Sequence, residues 1–403
     1  MVLSLGREQP TMRSKVLLAG GVRTPIGAFA GTLSEVPAPA LGSIVVRAAL
    51  ERAGVAPTEV DEVIFGNVLG AGLGQNVARQ VAIGAGIAPS VPALSVNKVC
   101  GSSLKAVMLA AQAILCGDAE VVVAGGTESM SRAPYLLPKA RTGYRMGDGQ
   151  IIDSMIHDGL WDVYNEVHMG TCGDACAAKF NLSRDMQDDF AAESYKRALE
   201  AARKGVFADE IVPVEVTQKK KTTTVDKDEE PHRFDEEKMR KLRPAFDPGG
   251  TITAANASTI NDGAAAIVVM SEEKLNALQV TPQAKILGYS TFSQEPEWFT
   301  IAPIGAIARL LDHLSFSVDD VDLFEINEAF SVVPMAAMQE LGISHQKTNV
   351  HGGAVALGHP IGASGTRTLV TLLNAMEHHD CRTGIDALCI GGGEAVAMAV
   401  ERT

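Results

Sequence analysis

Hydrophobic and polar positions along this chain form a pattern that comes round twice. Ala49-Leu50-Glu51-Arg52-Ala53-Gly54-Val55 reads as the end of a helix, and Val60-Asp61-Glu62-Val63-Ile64-Phe65-Gly66-Asn67 as the strand after it. Leu310-Leu311-Asp312-His313-Leu314 and Asp320-Val321-Asp322-Leu323-Phe324-Glu325-Ile326-Asn327 repeat that order. The apolar run 119–126 has a counterpart in 385–392, and 263–270 has one in 393–400. Self-similarity of this kind predicts two copies of one supersecondary unit. The first pairs lie about 260 residues apart and the last about 130, so the first copy is interrupted by an insertion. The expected organisation is residues 1–131 with 259–283 as one half, 132–258 as an inserted domain and 284–403 as the other half. Each half is an α/β unit on a mostly buried sheet. The insertion holds the densest charge, including Lys219-Lys220-Lys221 and Lys238-Met239-Arg240-Lys241, and one amphipathic helix at about Arg184 to Lys204.

Composition narrows the function classes. The net charge is −13 with no long basic block, which argues against a nucleic-acid partner, although a local basic patch can still bind small anions. No run of about 18 apolar residues is apparent, so no membrane span is expected. Met1 to Lys15 lacks a continuous apolar core, which argues against a secretory signal; its Arg7, Arg13 and Lys15 leave organelle targeting open. The C-terminal Val400-Glu401-Arg402-Thr403 carries no peroxisomal or reticulum-retention signal. Six cysteines in 403 residues form no disulfide framework and suit a reducing, cytoplasmic setting. Cys172 and Cys176 lie one helical turn apart without a matching ligand pair, so they read as structural and no metal is expected.

Cys100 carries the first chemical signal. The stretch before it, 91–96, reads as a buried strand, and 104–114 is apolar almost all round and reads as a buried helix. The thiol is thus expected at a strand-to-helix turn, where helix N–H groups and the positive dipole end favour a thiolate. Two readings fit this local context, a nucleophile and an inert buried cysteine. Three motifs of the second half bear on the choice. Asn327-Glu328-Ala329-Phe330 follows a strand, the glycine-rich 349–365 leads into a helix and contains Gly358-His359-Pro360, and Cys389-Ile390-Gly391-Gly392-Gly393 ends a strand. Glycines around polar reactive side chains mark close backbone approach to a ligand, while no dinucleotide or Gly-Lys-Thr pattern completes the loop.

Together with Asn256-Ala257-Ser258 and the 261–266 run, these segments resemble the thiolases from end to end. That resemblance implies the thiolase fold: two duplicated α/β halves, each with a mixed five-stranded sheet, packed as αβαβα layers with an inserted loop domain. It implies that Cys100 takes the acyl group as a thioester and that His359 activates it. It gives Cys389 the proton at the α-carbon of acetyl-CoA. One oxyanion hole is implied at His359 and a water held by Asn327, the other at the N–H groups of Cys100 and Gly391. Kinetics would be ping-pong. No cofactor is bound permanently; coenzyme A thioesters are substrates.

Leu160, His168, Met169, Leu242, Phe246, Ala254 and Ser258 match the family's coenzyme A loop. Phe299, Ala329 and Phe330 match pocket positions, and Arg233 is a candidate for the nucleotide phosphates. Arg132, Lys139, Arg141 and Arg145 fall where the family has a tetramerisation loop, which implies a homotetramer; a solvated basic face is the alternative. His168-Met169-Gly170 resembles the short-chain type that joins two acetyl-CoA into acetoacetyl-CoA. The alternative is a broader 3-ketoacyl-CoA thiolase. Three positions depart from the short-chain pattern: Ser103, where many members have glycine, Phe299, where methionine is common, and Glu394 after the glycine triplet. A non-catalytic lipid carrier would have lost one of Cys100, Asn327, His359 or Cys389; all four are present.

Overall fold

A computed structural model describes residues 15–403, so the reading of Met1 to Lys15 falls outside the described residues except for Lys15. The first half contains β1 (Val16–Arg23), α1 (Ala38–Ala53), β2 (Glu62–Gly66), α2 (Val77–Gly84), β3 (Ala93–Val96), α3 (Ser102–Cys116) and β4 (Val121–Ser129). The insertion contributes α4 (Met169–Phe180) and α5 (Arg184–Lys204), after which β5 (Asn261–Ser271) rejoins the first sheet. The second half runs through β6 (Ala284–Ser293), α6 (Ala302–Leu314), β7 (Leu323–Ile326), α7 (Val332–Leu341), α8 (Ser364–His378), β8 (Thr383–Ile390) and β9 (Glu394–Arg402).

Strand order repeats as the hydrophobic pattern does. It is β3-β2-β4-β5-β1 in one half and β7-β8-β9-β6 in the other. In both, parallel pairs stand on one side and antiparallel pairs on the other. The fifth strand of the second half is reduced to a single parallel bridge between Phe324 and Thr348. Its place is taken by a turn in which Asn349 bonds the β7 backbone through both amide atoms (Ile326 N to Oδ1, 2.8 Å; Nδ2 to Ile326 O, 2.9 Å). The two sheets meet edge to edge through Leu17–Lys285 and Leu18–Ala284.

Helices α3 and α8 occupy the layer between the sheets, with α1 and α2 outside one and α6 and α7 outside the other. A central helix meets apolar surface on every side, which explains why α3 is apolar all round. The Val99–Cys116 stretch is in fact long and apolar enough by composition to cross a membrane, contrary to the expectation above, but it lies in this central layer and is largely buried. A second correction concerns 91–96. Only Ala93–Val96 is a strand, and it is half-exposed, because it follows Pro92 and pairs on one side only, with β2. The amphipathic helix of the insertion is found at Arg184–Lys204, with Ser183 accepting at its N-terminus and Gly205 closing it in the left-handed region (φ 77°).

Small residues set the closeness of the layers. A Cβ on Gly126 would stand 2.1 Å from the Gly362 carbonyl oxygen, so this contact between the halves admits only glycine. Ser103 belongs to the same seam. It is fully buried, its Oγ accepts from Thr366 N at 2.8 Å, and Thr366 Oγ1 donates to its carbonyl at 3.2 Å. Ser103 is therefore a cross-link between α3 and α8 and does not shape the pocket.

Candidate active site

The turn before α3 is strained. Val99 has φ +46°, a region β-branched residues avoid, and hydrogen bonds hold it: Gly101 N to Lys98 O (3.1 Å), Ser102 N to Val99 O (3.1 Å) and Lys98 N to Ser102 Oγ (2.8 Å). This places Cys100 two residues ahead of the helix, in the seam between the halves. Its environment differs from the expectation of a helix-stabilised thiolate. Burial dominates and pushes the thiol up to about 11, although the N–H groups of Gly391 and of Cys100 itself point at the sulfur and work the other way. Cys100 is thus a protonated thiol that needs a base.

His359 has the properties of one. Its turn precedes α8, and Gly358 (φ +106°) lies so close to Asn261 that a Cβ there would meet the amide at 2.4 Å. Asn261 Oδ1 in turn accepts from His359 N at 2.8 Å. Ser364 Oγ donates to Pro360 O (2.8 Å), so it presents a lone pair to His359 Nδ1 at 2.6 Å. Nδ1 therefore carries the ring proton and Nε2 a free lone pair. Nε2 is buried and has no protein partner. Burial, helped by the Arg367 cation, lowers this imidazole to about 3 and keeps it neutral.

Cys389 ends β8 and is completely buried; burial first, and then the nearness of Cys100, raise its thiol well above the ordinary range. Asn327 directly follows β7, its N–H donates to Ala387 O of β8 (2.9 Å), and both of its amide atoms are buried without a protein partner. An unsatisfied buried amide costs roughly 1–3 kcal/mol, which is the signature of a group kept for a ligand or water. A Cβ on Gly391 would meet Met169 Cε at 2.8 Å, so the glycine run lies directly against the insertion.

The binding residues divide into two groups. His168 stacks on Phe246 with centroids 4.4 Å apart, Phe330 meets Phe246 and Phe299 edge-on at 6.4 Å, and Ser258 N donates to Ala329 O at 3.0 Å. Gly170 leaves room for that stack, since a Cβ would enter the Phe246 ring. Met169 N donates to Leu160 O (3.0 Å), and Met169 and Phe299 line a cavity of about 450 Å³ with Val68, Val99 and Gly391. Leu242, Ala254 and Arg233 stand apart from this cluster: Leu242 and Ala254 are exposed, and the Arg233 guanidinium is held by Glu229 (2.8 Å) and Glu230 (3.5 Å). A larger cleft of about 680 Å³ between α4 and residues 247–251 contains none of the predicted residues.

Sequence reasoning gave no role to Ser364, Asn261 or two buried glutamates that support the His359 loop. Glu328 accepts from Ser194 Oγ (2.7 Å), Asn349 Nδ2 (2.8 Å) and Val355 N (3.1 Å), which ties the end of β7 to the loop and to α5. Glu128 accepts from Gly362 N (2.9 Å) beyond His359. Glu328 stands inside a quoted motif and Glu128 two residues past the quoted 119–126 run, and only the fold shows what each carboxylate reaches. Cys172 and Cys176 are buried on α4, with Asp162 Oδ2 (3.8 Å) and Val332 O (4.0 Å) as partners. The described residues hold no group of three or more His, Cys, Asp or Glu arranged for a metal.

Two unlike thiols and a neutral imidazole thus stand beside glycine turns contributed by two duplicated halves. Comparison with known proteins gives the family. Residues 16–273 match the model of the thiolase N-terminal domain and 280–402 that of the C-terminal domain, so the chain belongs to the thiolase family. It is 52% identical over 389 residues to the acetyl-CoA acetyltransferase of Cupriavidus necator, covering 96% of this chain and 99% of the relative. It is also 52% identical to acetyl-CoA acetyltransferase 2 of Arabidopsis thaliana, with 96% of each chain covered. Among solved structures, the Acat5 thiolase from Ascaris suum in complex with coenzyme A superposes with a TM-score of 0.92 at 43% identity, covering 96% of this chain and 100% of that one.

Proposed function

We propose that this protein is an acetyl-CoA acetyltransferase that joins two acetyl-CoA into acetoacetyl-CoA and free coenzyme A, reversibly. The observation that supports the reading is a protonated Cys100 and a neutral His359 with a free Nε2 lone pair, in the turns that lead into two central helices bonded to each other at Ser103 and Thr366. His359 Nε2 takes the Cys100 proton as the sulfur attacks the acetyl thioester. The C–S bond to coenzyme A breaks, and His359 returns the proton to the departing thiolate. Cys389 gives its thiol proton to His359 and, as thiolate, removes an α-proton from the second acetyl-CoA. The enolate oxygen is held by His359 and a water on Asn327. The carbanion attacks the acetyl group on Cys100, whose oxyanion lies against the N–H groups of Cys100 and Gly391, and Cys100 leaves as thiolate and takes the proton held on His359, so both thiols end protonated.

The insertion, taken as residues 132–258 between the halves 1–131 with 259–283 and 284–403, supplies the coenzyme A side. Leu160, Met169, Phe246 and Phe330 flank the pantetheine arm, with Leu242 and Ala254 nearer the surface, Ser258 bonds its amide, and Arg233 receives the nucleotide phosphates. The His168–Phe246 stack and the contact of Met169 with Gly391 narrow the acyl end and favour a two-carbon group. A homotetramer with the loop of Arg132, Lys139, Arg141 and Arg145 in its interface accords with the exposed Tyr135, Leu137, Met146 and Ile151 around it. Six free cysteines accord with a cytoplasmic setting.

Coenzyme A-dependent cleavage of 3-ketoacyl-CoAs of rising length tests the substrate. Acetoacetyl-CoA should be the best. A preference for six carbons or more would instead make the protein a 3-ketoacyl-CoA thiolase.

A further inference from the structure

The repeat that aligns 119–126 with 385–392 carries Glu128 onto Glu394. Both residues sit where the first long strand after a central helix ends or turns, and each reaches into the other half. Glu128 is fully buried and accepts four hydrogen bonds: Asn67 Nδ2 (2.9 Å), Val68 N (3.0 Å), Leu69 N (3.1 Å) and Gly362 N (2.9 Å). The last is the crossing contact, three residues after His359. A Cβ on Gly362 would lie 2.5 Å from the same carboxylate, so the glycine is what lets the turn reach it. Glu394 takes Lys98 Nζ at 2.6 Å, two residues before Cys100, and its other oxygen accepts from Ser293 Oγ at 3.1 Å. Lys98 and Gly362 both stand in the turn that leads into a central helix, α3 or α8.

We infer that Glu128 and Glu394 are duplicated positioning residues, each clasping the turn of the opposite half that bears a reacting side chain: Glu128 the His359 turn, Glu394 the Cys100 turn. The inference rests on the functional reading above for the roles of those two side chains. The clasps are unequal. The buried one is made of backbone donors around one carboxylate. The outer one is a part-exposed ion pair beside Gly391 and Gly392, which line the same cavity of about 460 Å³. Replacing one accepting oxygen of the first by an amide N–H2 should misplace His359, while removing charge from the second should loosen Cys100 slightly.

Four variants, Glu128→Gln, Glu394→Gln, Lys98→Glu and the reversed pair Lys98→Glu with Glu394→Lys, separate this from a general loss of stability. Two readouts are needed: kcat and KM for acetoacetyl-CoA cleavage, and the rate of Cys100 alkylation by iodoacetamide followed by mass spectrometry. E128Q should lower kcat on the order of 100-fold, the scale of a misplaced catalytic group, with KM changed by less than about 2-fold. E394Q and K98E should each lower kcat and the alkylation rate by roughly 3-fold or more, and the reversed pair should recover most of that loss. Alkylation needs no coenzyme A substrate, so it still reads the Cys100 clasp if the wild-type protein proves inactive on acetoacetyl-CoA; in that event the functional reading fails and the clasp is judged alone. Wild-type kcat and alkylation in both E128Q and E394Q would overturn the inference. So would a reversed pair no better than its single changes.

Discussion

The seam that holds the reacting groups and the insertion that meets the substrate are built by opposite rules. In the seam, Cys100, Asn327, His359 and Cys389 are all buried, and their turns are fixed by glycines that admit no side chain and by buried carboxylates. In the insertion, His168 and Phe246 form a half-buried stack, while Leu242, Ala254 and Arg233 face solvent. Burial holds the thiols protonated and the imidazole neutral, so the resting seam carries no net charge on its reacting groups. The insertion keeps its charges wet and pairs them with one another, as Arg233 with Glu229. One region is made for geometry and the other for adaptable contact.

Substitutions should divide along that line. Cys100→Ala removes the acyl acceptor and should lower kcat on the order of 10⁵-fold with little change in melting temperature. His359→Asn should cost about 10³-fold, since the thiol then has no base. Ser364→Ala frees the imidazole from its one partner at Nδ1; roughly 10-fold in kcat at constant KM is expected. If Ser364→Ala moved KM alone, the tautomer argument would be wrong. Arg233→Ala, at the exposed end of the insertion, should raise KM for coenzyme A by only about 3-fold and leave kcat unchanged.

Acid should act on the seam through stability. His359 is lowered to about 3 and His351, also by burial, to about 4, both below the unfolded value of about 6.5. The unfolded chain then binds more protons than the folded one below that value. Stability is therefore fully present above about pH 6.5 and is lost as pH falls toward 4 and 3. Burial raises the Glu128, Glu325 and Asp386 carboxyls, which acts in the opposite sense, so the histidine contribution should appear as a wild-type urea midpoint that falls relative to that of His351→Phe from pH 7.5 to 4.5. Alkylation of Cys100 should rise with pH toward about 11 and show no plateau near neutrality.

Much of this was legible in the chain because a duplicated hydrophobic pattern is a strong signal. The repeated strands, the apolar α3 and the capped helix Arg184–Lys204 follow from periodicity alone. What sequence could not give was the company each residue keeps. Ser103 stood out only as a departure from the common glycine and is a bond between α3 and α8, because helix neighbours come from opposite ends of the chain. The 91–96 run looked buried because its alternation does not reveal that it stands at an edge. Cys100 looked like a helix-stabilised thiolate, since the dipole is local and readable while the desolvation that outweighs it comes from the whole fold.

The account turns on Cys100 being the acyl acceptor while Cys389 handles protons. Brief incubation with acetyl-CoA or acetoacetyl-CoA, acid quench and peptide mass spectrometry test that directly. The account predicts one acetyl group, on the peptide containing Cys100, absent from the Cys100→Ala variant and retained in Cys389→Ala. An acetyl group on Cys389 with Cys100 unmodified would contradict it.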